Sequence, residues 1–173
     1  MAEPGARAGG APGAGAADEP APFWESVALE DMSEAQWESL CDGCGRCCLH
    51  KLEDEDTGEL HFTSIACRLL DTGSCLCRDY SGRFERVPEC LSVRPLDAAK
   101  LAWLPLSCAY RRLAEGRGLA SWHPLVTGRR ASTREAGVAV AGLAVPEDEV
   151  AEEDWEEHVI VWAERATAVP ADA

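Results

Sequence analysis

Hydrophobic residues along this chain occur in short groups that are separated by polar and by glycine- or proline-containing stretches. The first group has the signals of a helix start, because Ser33 and Gln36 stand at the spacing of a capping box. This pattern predicts a short helix over residues 34–41. Such a helix would deliver Cys41 at its end.

Three later segments also predict elements. Residues 60–65 are typical of a short strand, and residues 107–115 of a helix that ends at Gly116. Residues 137–145 are rich in valine and alternate weakly, which predicts a further strand. Residues 67–90 show little periodicity, so we expect irregular chain that a metal organises.

The acidic C-terminal part has two interpretations. Trp155, Val159, Trp162 and Ala166 fall on one stripe at helical spacing. Residues 158–162 could instead extend a strand.

Taken together, the elements predict a small, loop-rich α+β domain, with few strands and with short helices flanking a cysteine- and metal-organised centre.

Composition limits the class of protein. The 173 residues suit one domain with tails, which we place at 1–22 (a disordered Ala/Gly/Pro-rich extension), 23–165 (the domain) and 166–173 (a flexible tail). Acidic residues outnumber Lys and Arg by 31 to 16, and the net charge of −15 argues against general nucleic-acid binding. No apolar stretch approaches the roughly 20 residues of a membrane-spanning helix.

Cellular location follows from the same composition. Residues 1–22 have no continuous apolar core of the kind found in a secretory signal. We therefore expect a cytoplasmic protein, in which thiols stay reduced. Nine cysteines are an odd number, which also fits a pure disulfide framework poorly.

The most specific motif is a CxxCxxCC run that places four thiols within eight residues. Its cysteines are Cys41, Cys44, Cys47 and Cys48. Gly43 and Gly45 lie between them and permit the tight turns that wrap a chain around an ion. Tetrahedral zinc takes four nitrogen or sulfur ligands, and iron–sulfur clusters also take cysteine thiolates. The spacing therefore predicts a metal site and leaves zinc and iron both open.

Adjacent Cys47 and Cys48 suggest more than one metal. In an extended chain their side chains would point to opposite sides. This predicts that the two thiols serve different metals or one multinuclear cluster, completed by later cysteines. Eight of the nine cysteines would suffice for two four-thiolate sites.

Other interpretations of single residues stay open. Cys108 is isolated, so a buried and inert thiol is about as good an explanation as a ligand. A catalytic dithiol is disfavoured, because Cys41 would follow the end of a helix, where the dipole does not lower a thiol pKa. His50 could ligate the same ion as Cys48, but sulfur ligands already suffice, and a position outside the coordination shell is favoured.

The chain also resembles a known family. The CxxCxxCC run and its flanks are similar to the bacterial CxxCxxCC family of zinc- or iron-chelating proteins, and in particular to its uncharacterised YcgN-like subgroup. The resemblance covers residues 23–165. Its closer part lies in segments 37–41, 49–52, 67–68, 75–80, 83–84, 88–90, 103–105, 107–111, 113–116 and 122–125.

The resemblance implies further ligands and a function. The family pattern of later cysteines corresponds to Cys67, Cys77 and Cys90, whereas Cys75 and Cys108 belong to the subgroup-like flanks and have a less defined role. It implies a zinc- or iron-chelating protein, with a metal ion as its partner and no named process. A different class, an iron–sulfur enzyme or electron carrier that uses the same cysteines, is the alternative. No acid–base constellation in the sequence indicates catalysis.

Overall fold

The computed structural model describes residues 20–161 and shows the predicted small α+β domain. The helices are α1 (Phe23–Ser26), α2 (Glu34–Ser39), α3 (Arg83–Arg86), α4 (Ala98–Trp103), α5 (Ala109–Ala114), α6 (Pro124–Thr127) and α7 (Ser132–Glu135). The strands are β1 (Leu49–Glu53), β2 (Leu60–Ala66), β3 (Leu70–Asp71), β4 (Leu76–Cys77) and β5 (Val145–Pro146). Short 3₁₀ helices cover Leu29–Asp31, Arg46–Cys48, Glu147–Glu149 and Glu152–His158.

Two small sheets form the β part of the domain. In the first, β2 lies between β1, with which it is antiparallel, and β5, with which it is parallel. Leu49 pairs with Ala66, and the register shifts before Lys51. The second sheet is the hairpin of β3 and β4, in which Leu70 pairs with Cys77. No helix within residues 20–161 has the length and apolar character that crossing a bilayer requires.

The apolar side chains pack into two separate clusters. The sheet core consists of Leu49, Phe62, Ala66, Leu70, Cys75, Ala139 and Val140. The helical core consists of Met32, Trp37, Leu40, Leu104, Ala109 and Tyr110. The 41–48 segment connects them, since Cys47 packs against the helical core and Cys48 against the sheet core.

The predicted start of α2 is confirmed. The Ser33 side chain accepts a hydrogen bond from the Gln36 amide, and the Gln36 side chain accepts one from the Ser33 amide. These bonds satisfy two backbone donors that a helix start otherwise leaves without partners. The helix ends at Ser39, earlier than predicted, and Leu40 is its C-terminal cap.

The predictions for 60–65 and 107–115 are confirmed by β2 and α5. Gly116 follows α5 with a φ of 71°, the left-handed conformation that commonly ends a helix. The irregular segment 67–90 contains only the β3–β4 hairpin and the single turn of α3. The sequence pattern did not indicate β1, because its five residues carry little alternation.

The predicted strand over 137–145 is wrong. Turns occupy most of this segment, and only Val145 enters a strand. Gly137 and Gly142 adopt positive φ angles of 69° and 74°, which an extended strand does not allow. The valines are nevertheless buried, because Val138 and Val140 pack inside the domain as a loop.

The C-terminal segment combines parts of both interpretations. Glu152–His158 forms a 3₁₀ helix, and Val159 then makes an isolated antiparallel bridge with Thr63 of β2. The predicted stripe continues to Trp162 and Ala166, which lie outside the described residues. The predicted tails 1–22 and 166–173 also lie outside them, apart from residues 20–22.

Substituting Gly45 tests how closely the CxxCxxCC loop approaches the sheet core. A Cβ at this position would lie 2.8 Å from Val140 Cγ2 and 3.3 Å from Cys75 Cβ. We expect Gly45→Ala to lower the free energy of unfolding by roughly 2–5 kcal/mol, combining left-handed strain with overpacking. Gly142→Ala is the matched control, since its φ is also positive but nothing lies within 4 Å. Equal losses in urea unfolding would contradict this explanation.

Candidate metal centre

Eight of the nine cysteines line one cavity of about 180 Å³. They are Cys41, Cys44, Cys47, Cys48, Cys67, Cys77, Cys90 and Cys108. The structure therefore brings together all seven cysteines predicted as ligands, which come from distant parts of the chain. It adds Cys108, whose role the sequence left open. Residues of both cores, among them Trp37 and Leu70, complete the wall.

Cys75 is the cysteine that the cavity excludes. It lies at the turn of the β3–β4 hairpin with a φ of 59°, and its side chain is buried in the sheet core. A buried free cysteine commonly serves as a small hydrophobic residue. Its position two residues before Cys77 gave no sign of this difference in environment.

Hydrogen bonds from distant segments hold the start of the cysteine loop, by which we mean residues 41–48. The His123 ring donates from Nε2 to the Leu40 carbonyl at 3.0 Å, and its Nδ1 accepts the Leu125 amide at 3.1 Å. The Thr133 hydroxyl donates to the Asp42 carbonyl at 3.1 Å. His123 and Thr133 are both almost fully buried. The His123 ring thus fixes the chain immediately before Cys41.

The rest of the loop is held in the same way. The Val140 amide donates to the Cys44 carbonyl at 2.9 Å, and the Cys67 amide donates to the Cys48 carbonyl at 3.0 Å. Each bond satisfies a backbone acceptor that would be costly to bury alone. Segment 138–140, which lies within the predicted strand 137–145, therefore supports the cysteine loop.

Arg46 anchors the middle of the loop through its side chain. It is fully buried, and its Nε donates to the Val138 carbonyl at 2.7 Å, while Nη1 approaches the Ser107 hydroxyl at 3.5 Å. Burial lowers the pKa of this guanidinium, and the nearby Cys44 and Asp42 oppose that effect. A buried positive charge at this point favours negative charge on the neighbouring thiols.

Contrary to the prediction, the Cys47 and Cys48 side chains do not point to opposite sides. Arg46–Cys48 forms a 3₁₀ turn instead of extended chain, and the two sulfur atoms lie 3.9 Å apart. Two sulfurs bound to one tetrahedral zinc at 2.3 Å would be about 3.8 Å apart. The two thiols can therefore coordinate one ion or neighbouring ions, and the expectation of opposite directions was wrong.

Cys47 and Cys48 shift each other's thiol pKa in opposite directions. A hydrogen bond from the Cys48 thiol lowers the pKa of Cys47 against the effect of burial, and the Lys51 ammonium adds to the lowering. The hydrogen bond and charge of Cys47 raise the pKa of Cys48. Lys51 Nζ donates to the carbonyls of Cys47 and Leu49 at 3.3 and 3.1 Å. Cys47 is thus the thiol best prepared to become a thiolate.

Burial raises the thiol pKa at five further cavity positions. They are Cys41, Cys44, Cys67, Cys90 and Cys108. A metal ion that binds here must therefore displace protons from the sulfurs.

The donor chemistry of the cavity fits zinc or iron, because soft thiolates select these metals over magnesium or calcium. Within residues 20–161, however, no three His, Cys, Asp or Glu side chains converge as a set that could hold an ion. The thiols surround the cavity without meeting at one point. Rotation of the cysteine side chains is thus required for coordination.

A comparison with protein families identifies the same region. Residues 40–109 match a family model described as "CxxCxxCC: Putative zinc- or iron-chelating domain". A "UPF0260 protein" of Rhodopseudomonas palustris is 53% identical over 141 residues, which are 81% of this chain and 83% of that protein.

The chain belongs to the UPF0260 family. "UPF0260 protein YcgN" of Escherichia coli O6:H1 is 52% identical over 139 residues, 80% of this chain and 90% of that protein. A "UPF0260 protein" of Parvibaculum lavamentivorans is 54% identical over 141 residues, 82% of this chain and 92% of that protein. No solved structure matches the chain.

All nine cysteines of this UPF0260 chain fall within the segment that the family model matches. The match therefore does not distinguish Cys75 from the other eight. The three-dimensional arrangement makes that distinction, because it places Cys75 in the sheet core and the others around the cavity.

His50 lies outside the thiol cavity. Its Nε2 is 2.5 Å from Glu147 Oε2, and its ring lies 4.6 Å from that of Trp155. These groups line a separate open groove of about 790 Å³, which Cys67 also borders. That His50 does not coordinate the metal stays a prediction.

Glu147 generates a prediction about acid stability. Burial raises the pKa of its carboxyl, but hydrogen bonds from His50 and Arg68 outweigh burial and hold the pKa below the ordinary value of 4.5. The ion pairs therefore stabilise the fold above about pH 4.5, and this contribution is lost as the pH falls through the folded pKa. We expect Glu147→Gln to cost about 1 kcal/mol at neutral pH and less in acid.

Urea unfolding at a series of pH values measures this effect. Glu156→Gln is the matched control, because Glu156 is an exposed carboxylate in the same acidic segment. A Glu147→Gln cost that stays constant down to pH values below the folded pKa would contradict the assignment.

Proposed function

We propose that this UPF0260 protein binds zinc or iron through Cys41, Cys44, Cys47, Cys48, Cys67, Cys77 and Cys90. The observation that supports this most directly is that all seven line one cavity, although they are spread over 50 residues of chain. The description of the matched family as zinc- or iron-chelating is consistent with it.

Cationic side chains beside the thiols favour their negatively charged form. Lys51 lies next to Cys47 and Cys48. Burial lowers the pKa of the Lys51 ammonium, and negative charge on either thiol would raise it. Arg83 and Arg94 line the cavity. The partly buried ammonium of Lys51 is stabilised by nearby negative charge, which metal-bound thiolates would supply.

Metal binding would stabilise the arrangement that the loop hydrogen bonds prepare. Because no three of the described side chains converge on one point, an ion would draw together chain segments that belong to the two cores. Such binding is coupled to folding, and the binding free energy contributes to the stability of the domain. The metal in this proposal is structural or stored, and no catalytic step is assigned to it.

The first test is metal content. Protein purified without oxygen is expected to contain zinc or iron near stoichiometric amounts, and removal of the metal by a chelator should lower the melting temperature and loosen the 41–90 region in circular dichroism and hydrogen exchange. Adding the metal back is the control and should restore both signals. Complete removal with unchanged melting and spectra would refute the proposal. Iron with matching acid-labile sulfide would favour the iron–sulfur alternative instead.

The second test is the pH dependence of binding. The thiols at Cys44 and Cys48 have raised pKa values, so each must release a proton to bind a metal. We expect metal affinity to increase between about pH 6 and pH 8, in competition with a chromophoric chelator of known proton affinity. The same chelator titrated without protein is the control. An affinity that does not change with pH would argue against thiolate ligands.

A further inference from the structure

Cys108 has the environment of the predicted ligands, although neither the run nor the family pattern assigns it a role. It precedes α5, lines the thiol cavity and packs with Cys47 against the helical core. Burial raises the pKa of its thiol, and hydrogen bonds from the backbone amides of Arg111 and Tyr110 to the sulfur oppose that effect. Cys108 therefore shares the cavity and the burial of the predicted ligands.

The cavity thiols divide between the two cores. Cys48 packs against the sheet core, and its carbonyl accepts the amide of Cys67. The Cys67 carbonyl in turn accepts the Leu70 amide, and Leu70 pairs with Cys77 in the hairpin. Backbone hydrogen bonds thus place Cys48, Cys67 and Cys77 on one side of the cavity.

The nearest thiols indicate where the remaining cysteines lie. Cys90 lies near Cys67 and Cys77, which places it with the sheet-side group. On the other side, Cys44 lies near Cys47 and Cys108, and Cys41 lies near Cys47. The two groups adjoin, because Cys47 and Cys41 are also near Cys48, and Cys47 is also near Cys90.

We infer that the eight cavity thiols form two adjacent four-thiolate metal sites and that Cys108 completes one of them. The helical-side site consists of Cys41, Cys44, Cys47 and Cys108. The sheet-side site consists of Cys48, Cys67, Cys77 and Cys90. This inference rests on the proposed function and gives it a stoichiometry and an eighth ligand.

The number of donors supports two sites. A structural zinc is almost always coordinated by four ligands, so seven cysteines would leave one site incomplete and eight complete both. The 3.9 Å between the sulfurs of Cys47 and Cys48 makes the two sites neighbours. Cys75 remains outside, because its side chain is enclosed by the sheet core.

Paired serine variants test the assignment. Wild-type protein loaded with zinc is expected to hold about two ions per chain, and Cys75→Ser should hold the same number. Cys108→Ser should lose one ion or bind it at least tenfold more weakly, and Cys77→Ser should lose the other. Elemental analysis and a competition titration give the number and affinities, and cobalt substitution reports the sulfur ligands by their charge-transfer absorption.

The outcomes separate this inference from the proposed function. A wild-type chain that binds no metal refutes both. A chain that binds metal while Cys108→Ser retains wild-type stoichiometry and affinity refutes only the role of Cys108. A single ion or one multi-iron cluster in the wild type refutes the division into two sites.

A measurement on the wild-type chain avoids dependence on folding of the variants. Alkylation of each cysteine is followed by mass spectrometry with and without zinc. Bound zinc should slow labelling of Cys108 at least tenfold, and the already buried Cys75 should show much less change. Equal labelling of Cys108 in both states would overturn the inference.

Discussion

The eight-residue loop from Cys41 to Cys48 is the constraint on which the rest of this structure depends. It must turn sharply enough to direct four thiols into one cavity, and each turn presents backbone carbonyls that need donors. His123, Thr133, Val140 and Cys67 supply those donors from four distant segments. The packing of the C-terminal half of the domain is therefore partly determined by the need to support this loop.

This arrangement explains why the domain has two small cores instead of one. Short helices and strands bury little apolar surface each, and a chain of this size has a modest total to bury. The cysteine cavity lies where the two cores meet, with Cys47 on one and Cys48 on the other. Metal–sulfur coordination bonds at this junction would connect the two cores. They would take the place of a continuous hydrophobic interior.

Charge is distributed unevenly around the cysteine cavity. The chain is strongly acidic overall, yet the side chains beside the cysteine loop include the buried Arg46 and the partly buried Lys51. The acidic residue Glu147 is directed toward His50 and Arg68 in a separate groove. The cavity thiols thus lie near positive charge, which favours their ionisation against the net negative charge of the molecule.

Local patterns could predict the elements whose causes are local. The capping box at Ser33 needs only four residues, and the stop of α5 at Gly116 needs only one residue with positive φ, so both were visible in the sequence. The 137–145 segment was misjudged because valine is common both in strands and in buried loops. Gly137 and Gly142 adopt positive φ angles, and the Val140 amide between them donates to the Cys44 carbonyl instead of to a neighbouring strand.

The sequence by itself determined the chemistry of the protein, since the close spacing of Cys41, Cys44, Cys47 and Cys48 already indicates soft-metal ligands. Only the tertiary structure decided which later cysteines share their cavity. It admits Cys108 and excludes Cys75, although Cys75 is nearer in the chain to the cysteine run. It also brings the Cys47 and Cys48 sulfurs together through a 3₁₀ turn. The physical reason is that residue type sets which metals can bind, whereas long-range packing and backbone hydrogen bonds set where each sulfur lies.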